Sequence, residues 1–238
     1  MSRPALHLLR YVGLVLGCLM TAPFALAEEA EDPFADADLD NAAEINEVCA
    51  GCHGEHGQGG KDGEYPRLAG LPAAFISRQL DLFRAREREN LAMVEHTEHR
   101  QMPDSDIRDI SAFLAAIELP SRLPPVDETA PDFNAYERLM ATKRMVQIPR
   151  APGDPVAGER IYAKECASCH GREGQGRERD AVPMLAGQYT GYLQRQVAKY
   201  IDKRRVHDPS DPDAEELLAT FTAEELNDIF AYISILDD

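Results

Sequence analysis

The pentapeptide Cys-X-X-Cys-His stands twice in this chain, as Cys49-Ala50-Gly51-Cys52-His53 and as Cys166-Ala167-Ser168-Cys169-His170, with 117 residues between equivalent positions. Two thiols three positions apart fall on one helical turn. There they can add to the two vinyl groups of a haem while the adjacent histidine approaches the iron. This spacing is that of c-type haem attachment, and the two copies take up four of the five cysteines. A single copy could be a zinc site or a thioredoxin-like dithiol. Two copies in matching surroundings favour two covalently attached haem c groups.

The 117-residue offset persists well past the motifs. Gly57-Gln58-Gly59 maps to Gly174-Gln175-Gly176, Pro66, Leu68, Ala69 and Gly70 map to Pro183, Leu185, Ala186 and Gly187, and Phe75, Arg78-Gln79 and Phe83 map to Tyr192, Arg195-Gln196 and Tyr200. After a two-residue insertion, Ile107, Ile110, Phe113 and Leu114 map to Leu226, Ile229, Tyr232 and Ile233. Two copies are too few for a solenoid, so this is a duplicated domain. Each copy reads as helical. Asn41 to Val48 and Pro155 to Glu165 lead into the motifs, the second with Asp154 and Pro155 as a start signal. A glycine-rich loop follows each histidine. A middle helix carries Phe75, Gln79, Leu80 and Phe83, with Tyr192, Gln196, Val197 and Tyr200 in the second copy. A last helix carries Ile107, Ile110, Leu114 and Ile117 at helical spacing, and its mate opens with the capping box Thr222 and Glu225. No β pattern is convincing. The expected fold is all-α, two tandem domains at 41–119 and 155–238, each wrapped around one haem. A proline-rich linker, 120–154, joins them and holds a helical piece from Tyr136 to Val146. A domain this small buries a marginal core alone, and a haem adds the missing apolar surface.

Residues 1–27 read as an export signal, with Arg3 and Arg10 before an apolar run and Ala25-Leu26-Ala27 as a cleavage site. The run is too short and poorly flanked for a membrane span. Val15-Leu16-Gly17-Cys18 offers an alternative, a lipoprotein box that would tie the chain peripherally to a membrane. Both place the protein in the periplasm or its equivalent. The net charge is −17, and −19 once Arg3 and Arg10 leave with the signal. Glu28 to Asp40 holds seven acids and no base, which reads as a solvated, mobile leader. Such acidity excludes nucleic acid as a partner and suits a basic redox protein.

His53 and His170 take the proximal side of each iron, and the distal ligand sets the chemistry. In the first copy Met93, Met102, His96 and His99 are candidates. Met102, one turn from Ile107, reads as core, and the two histidines read as exposed. Met93, in the loop before the last helix, is the expected ligand. The second copy has no methionine after Met184, which itself reads as a surface or edge residue opposite Arg67. The mate of Met93 is Ser210, a poor iron ligand. The second haem is therefore ligated by His207 or open on its distal side.

The duplication, the Cys-X-X-Cys-His-Gly-X-X-Gly-X-Gly pattern, the Pro-X-Leu-Ala-Gly strip and the Asn90-X-X-Met93 segment resemble the bacterial diheme class I cytochromes of the cytochrome c4 family. The resemblance implies two domains related by a pseudo-twofold axis and electron transfer between haems and to an oxidase, reductase or dehydrogenase, by a monomer or weak dimer. It also implies that the carbonyls of Pro66 and Pro183 accept from the proximal histidines, and that Phe113 and Tyr232 pack the last helix on the first. Ser210 departs from the family and puts two similar high-potential haems in doubt. An alternative is a diheme enzyme resembling thiosulfate dehydrogenases, drawing a small anion to the second haem with Lys199, Lys203, Arg204 and Arg205. Those same residues also read as a solvated helix end or as partners of haem propionates. The mature chain has no spare cysteine to serve as a sulfur ligand, which weakens the thiosulfate version. A subunit docked in a respiratory complex is the third reading.

Overall fold

The computed structural model describes residues 32–206 and 213–236, and the chain from Asp32 onward forms one compact unit. The export signal, the Cys18 box, His207 and Ser210 lie outside the described residues. Helix α1, Leu39–His53, opens at Asp38, whose carboxylate accepts from the N–H groups of Asp40 and Asn41. It runs past the expected end at Val48 and carries the whole haem motif as its last turns. The acidic leader therefore does not stay loose to its end, because Asp38 to Asp40 build the start of α1. Helix α2 spans Ala73–Arg84, α3 Leu91–Thr97, α4 Asp104–Ala115 and α5, in the linker, Ala135–Thr142. In the second copy α6 is Pro155–Glu165, α7 Ala167–His170, α8 Thr190–Ile201, α9 Asp213–Thr220 and α10 Ala223–Ile233. Asp154 caps α6 with Pro155 in its first turn, and Thr222 and Glu225 form the reciprocal capping box of α10. No strand occurs among the described residues. Two isolated bridges, Gly60 to Tyr65 and Arg177 to Val182, again sit 117 residues apart.

Each half is built by the last helix crossing the first. In the first half α4 lies on α1 and α2, burying Ile76, Ile110 and Leu114 with Ile45 and Phe113 against them. In the second α10 lies on α6, burying Tyr162, Leu193, Ile229, Phe230 and Ile233. Tyr232 meets Tyr162 with ring centroids 5.3 Å apart, within the range where tilted aromatic pairs attract. The α6–α10 crossing is close enough that a Cβ on Gly158 would lie 1.9 Å from the carbonyl oxygen of Asp228. The linker is pinned to the first half by Val146, buried with Leu119 against Ala69, and folds back on itself where the Val146 N–H donates to the Pro120 carbonyl at 3.2 Å. Helix α5 is shorter than the Tyr136 to Val146 reading and buries none of its residues.

Asp109 locks α4 to the start of α1. Its buried carboxylate accepts from the Asp38 N–H (3.1 Å), Asn41 Nδ2 (3.0 Å) and Arg108 Nε and Nη2 (2.9 and 2.7 Å). Burial pushes this carboxyl pKa up, but the bonds from Asn41, Arg108 and Asp38 outweigh it and hold the group below its ordinary range. A depressed pKa stabilises the fold above the unfolded value and loses that contribution as pH falls through the folded one. Asp109→Asn is therefore expected to cost roughly 1.5–3 kcal/mol at pH 7. The gap to the parent should narrow below about pH 4, near the ordinary carboxyl range. Urea unfolding at pH 7 and pH 3 checks this, and a gap that stays constant with pH counts against it.

The two halves are joined by polar bonds and by an apolar cluster in which Met184 and Ala186 meet Leu71, Ile76, Ile110 and Leu114. Gln188 clasps Arg67, its Oε1 accepting from the Arg67 N–H at 3.0 Å and its Nε2 donating to the Arg67 carbonyl at 2.9 Å. Glu178 accepts from the N–H groups of Ala73 and Ala74, both at 3.1 Å, and so caps α2 from the other half. Arg195 donates to the Gly63 carbonyl and Lys199 to that of Glu89. Met184 is not the surface or edge residue expected. It is 7% exposed and packs across the seam with Leu71, Ile76 and Ile110, while Arg67, its mate in the repeat, turns its head to the Ala69 carbonyl.

Candidate functional site

The repeat extends to the hydrogen bonds around each motif. His53 Nδ1 lies 2.9 Å from the Pro66 carbonyl and His170 Nδ1 3.0 Å from the Pro183 carbonyl. A carbonyl only accepts, so Nδ1 carries the hydrogen in each ring. Nε2 is left with its lone pair as the nitrogen able to meet a metal. The Gly59 N–H donates to the His53 carbonyl at 2.7 Å and the Gly176 N–H to the His170 carbonyl at 2.8 Å, folding each glycine-rich loop back on its histidine. His53 is buried, and burial lowers its pKa against the raising effect of the Pro66 carbonyl, so the ring stays neutral and competent to ligate.

Cys52 and Cys169 are exposed, while Cys49 and Cys166 are half-buried one turn back on the same face. Burial raises the Cys49 thiol pKa and pushes that of Cys166 up to about 11, with Glu165 and Cys169 adding to the shift. Thiols of this kind are the reverse of the acidified cysteines of redox dithiols. Among the described residues no group of three His, Cys, Asp or Glu side chains could hold a metal ion.

On the distal side of the first copy the structure separates the candidates. Met102 is buried at the start of α4, as expected of core. His96 and His99 are exposed. Met93 is half-buried and sits on a helix, α3, rather than in a loop. Buried Val94 and Thr97 dock that helix, and the Thr97 hydroxyl donates to the Met93 carbonyl at 3.0 Å. In the second copy His207 lies outside the described residues.

Of the basic residues beside the second copy, Lys203 and Arg204 are exposed and Arg205 turns inward. Arg88 and Arg205, themselves 117 residues apart, are buried at 9% and 5% exposure in the seam between the halves. Arg88 donates to Gln79 Oε1 at 2.8 Å and to Gln196 Oε1 at 3.2 Å. Arg205 donates to Gln196 Oε1 at 2.6 Å and to Gln79 Oε1 at 3.0 Å. Each guanidinium therefore bonds the glutamine of its own half and that of the other. Each also stands over an aromatic ring, Arg88 over Phe83 at 4.4 Å and Arg205 over Tyr200 at 4.7 Å. No carboxylate among the described residues pairs with either. Two buried cations held, among the described residues, by neutral amide and phenol oxygens form a receptor for carboxylates. Burial, the largest effect, and the charge of Arg205 lower the Arg88 pKa, as a cation-rich site requires. Haem carries two propionates, so the residues present fit the group: the paired thiols for attachment, the histidines on their proline carbonyls, and Arg88 and Arg205 for its carboxylates. The pairing of Gln79 with Arg205 and of Gln196 with Arg88 escaped the sequence reading. Its trace was a glutamine kept at the same place in both middle helices.

A family model described as Cytochrome c matches residues 40–118 and again 155–237. The chain belongs to the cytochrome c family. It is a diheme class I cytochrome c with two covalently attached haem c groups, and Cys49/Cys52 and Cys166/Cys169 have the spacing for them. Its fold is shared with reduced recombinant cytochrome c4 from Pseudomonas stutzeri, with TM-score 0.63 and 20% identity over 84% of this chain and 99% of that one. Thiosulfate dehydrogenase from Marichromatium purpuratum is also similar, with TM-score 0.61 and 25% identity over 83% of this chain and 40% of that one. A thiosulfate dehydrogenase electron acceptor from Stutzerimonas stutzeri is 33% identical over 147 residues, 62% of this chain and 60% of that protein. The match thus spans less than two thirds of that relative's length.

Proposed function

We propose that this cytochrome is an exported, periplasmic electron carrier with two unequal haems. His53 and Met93 ligate the first iron, and His170 and His207 the second. Each haem supplies a centre that takes up and gives back one electron. The chain supplies the rest. The Pro66 and Pro183 carbonyls orient the histidines and raise their basicity, α3, which packs on α2, carries Met93, and the seam arginines neutralise propionate charge. The observation that carries this reading is the matched pair of histidine–proline carbonyl bonds at 2.9 and 3.0 Å, one in each half. Ser210 at the place of the second methionine favours His207. The name of the 33% identical relative supports a dehydrogenase as the donor, and the acidic surface supports a basic acceptor. Lys199 and Arg205, which an enzyme would need for drawing an anion to the second haem, bond instead across the seam.

Carbon monoxide added to the reduced holoprotein tests the reading by visible spectroscopy. Two six-coordinate haems leave the spectrum unchanged. A prompt change in about half of the haem overturns the carrier reading, because it places an open or labile iron in one domain.

A further inference from the structure

The receptor in the seam is nearly symmetric, and one side chain breaks the symmetry. Tyr192 takes the place that Phe75 has in the first half. Its phenolic oxygen accepts from Arg88 Nη2 at 2.9 Å. Arg205 also faces this phenol, so one hydroxyl, present in the second half and replaced by Phe75 in the first, serves both guanidiniums. No acceptor for the Tyr192 hydroxyl hydrogen lies among the described residues. The phenol thus joins the two guanidiniums as a donor aimed at the same receptor. Burial would raise the Tyr192 pKa, yet Arg88 and Arg205 together hold it below its ordinary value, as expected of a group on the cationic side of the site.

We propose that Tyr192 is a positioning residue that makes the two haem carboxylate sites unequal, by orienting Arg88 and donating its hydroxyl hydrogen to one haem's propionate, and so sets part of the difference between the two potentials. The proposal rests on the two-haem carrier reading above. A propionate near an iron favours the oxidised state, and a donor that neutralises it favours the reduced state. Removing the hydroxyl therefore lowers one potential. The first half offers Phe75 at the equivalent place and has no such donor.

The test is a spectroelectrochemical titration of the holoprotein and two variants. Tyr192→Phe keeps the ring and is expected to shift the electron distribution between the haems about tenfold, the size of one charge-assisted hydrogen bond. For a one-electron centre that is about 59 mV, read as one potential lowered with the other unmoved. Phe75→Tyr adds the missing hydroxyl and is expected to raise the other potential. Two unchanged potentials in Tyr192→Phe, or two that move together, overturn the proposal. Carbon monoxide binding by the parent protein tests the carrier reading separately, so failure of one is distinguishable from failure of the other.

Discussion

Replacing Met93 by alanine is expected to lower the potential of the first haem and to leave the second where it was. The thioether favours ferrous iron, and its loss leaves that iron with a weaker field or an open site. Axial ligands command a span of about 0.8 V, so a fall of roughly 0.1 V or more is expected. The same variant should bind carbon monoxide in about half of its haem, in contrast to the parent. Both readings come from one reduced sample, titrated first and gassed afterwards. Val94 and Thr97 remain to dock α3, and the exposed flank of that helix tolerates change, so the loss is local. If both potentials stand and no new species appears, Met93 is not an iron ligand. The search would then move to the exposed His96 and His99.

Gly158→Ala should unmake the second domain. Helix propensity alone points the other way, since alanine inside a helix is favoured over glycine by about 1 kcal/mol. Packing decides the sign. The added methyl would sit 1.9 Å from the Asp228 carbonyl oxygen and 2.5 Å from its carbon, and both atoms belong to the backbone of α10, which no rotamer change can move. To admit the methyl, α6 and α10 must separate, opening the core at Tyr162 and Ile229. Overpacking of this kind costs about 3 kcal/mol or more, roughly 10 to 20 °C in Tm for a domain of this size. The Asp154 N–H bond to Asp228 at 2.7 Å would be lost with it. Differential scanning calorimetry of the holoprotein should show the second domain melting early. A melting curve identical to the parent's would mean that the crossing is looser than its geometry.

Much of this molecule was legible from residue spacing. The repeated motif, the helix starts at Asp154–Pro155 and Thr222–Glu225, and the apolar periods of α2, α4, α8 and α10 are local signals, and local signals survive without knowledge of what packs where. Helix α1 ran on through the haem motif because Ala50, Gly51 and Cys52 contain nothing that stops a helix before Gly54. Helix α3 was missed because its seven residues bury only Val94 and Thr97, too few for a period to show. The seam was not legible at all. Gln188 with Arg67, Glu178 with Ala73, and Met184 against Ile76 join positions more than 100 residues apart, and no spacing rule reaches across that distance. The exposed reading of Arg205 failed for the same reason: a charged residue at a helix end is usually solvated, unless a second domain closes over it.

Glu178 closing the first turn of α2 has an evolutionary consequence. A domain born by duplication begins self-sufficient, with every helix terminated by its own chain. Here Pro72 precedes α2 and makes no side-chain cap bond, and the acceptor that closes the helix comes from 105 residues downstream. The mate helix α8 has no side-chain cap either, so the capping carboxylate is supplied in one direction only, from the second half to the first. Cutting the gene back to either half would not restore the ancestor. It would leave one fragment with an uncapped helix and a buried arginine short of its partners. The duplication has become a ratchet, and the smallest unit on which selection can now act is the pair.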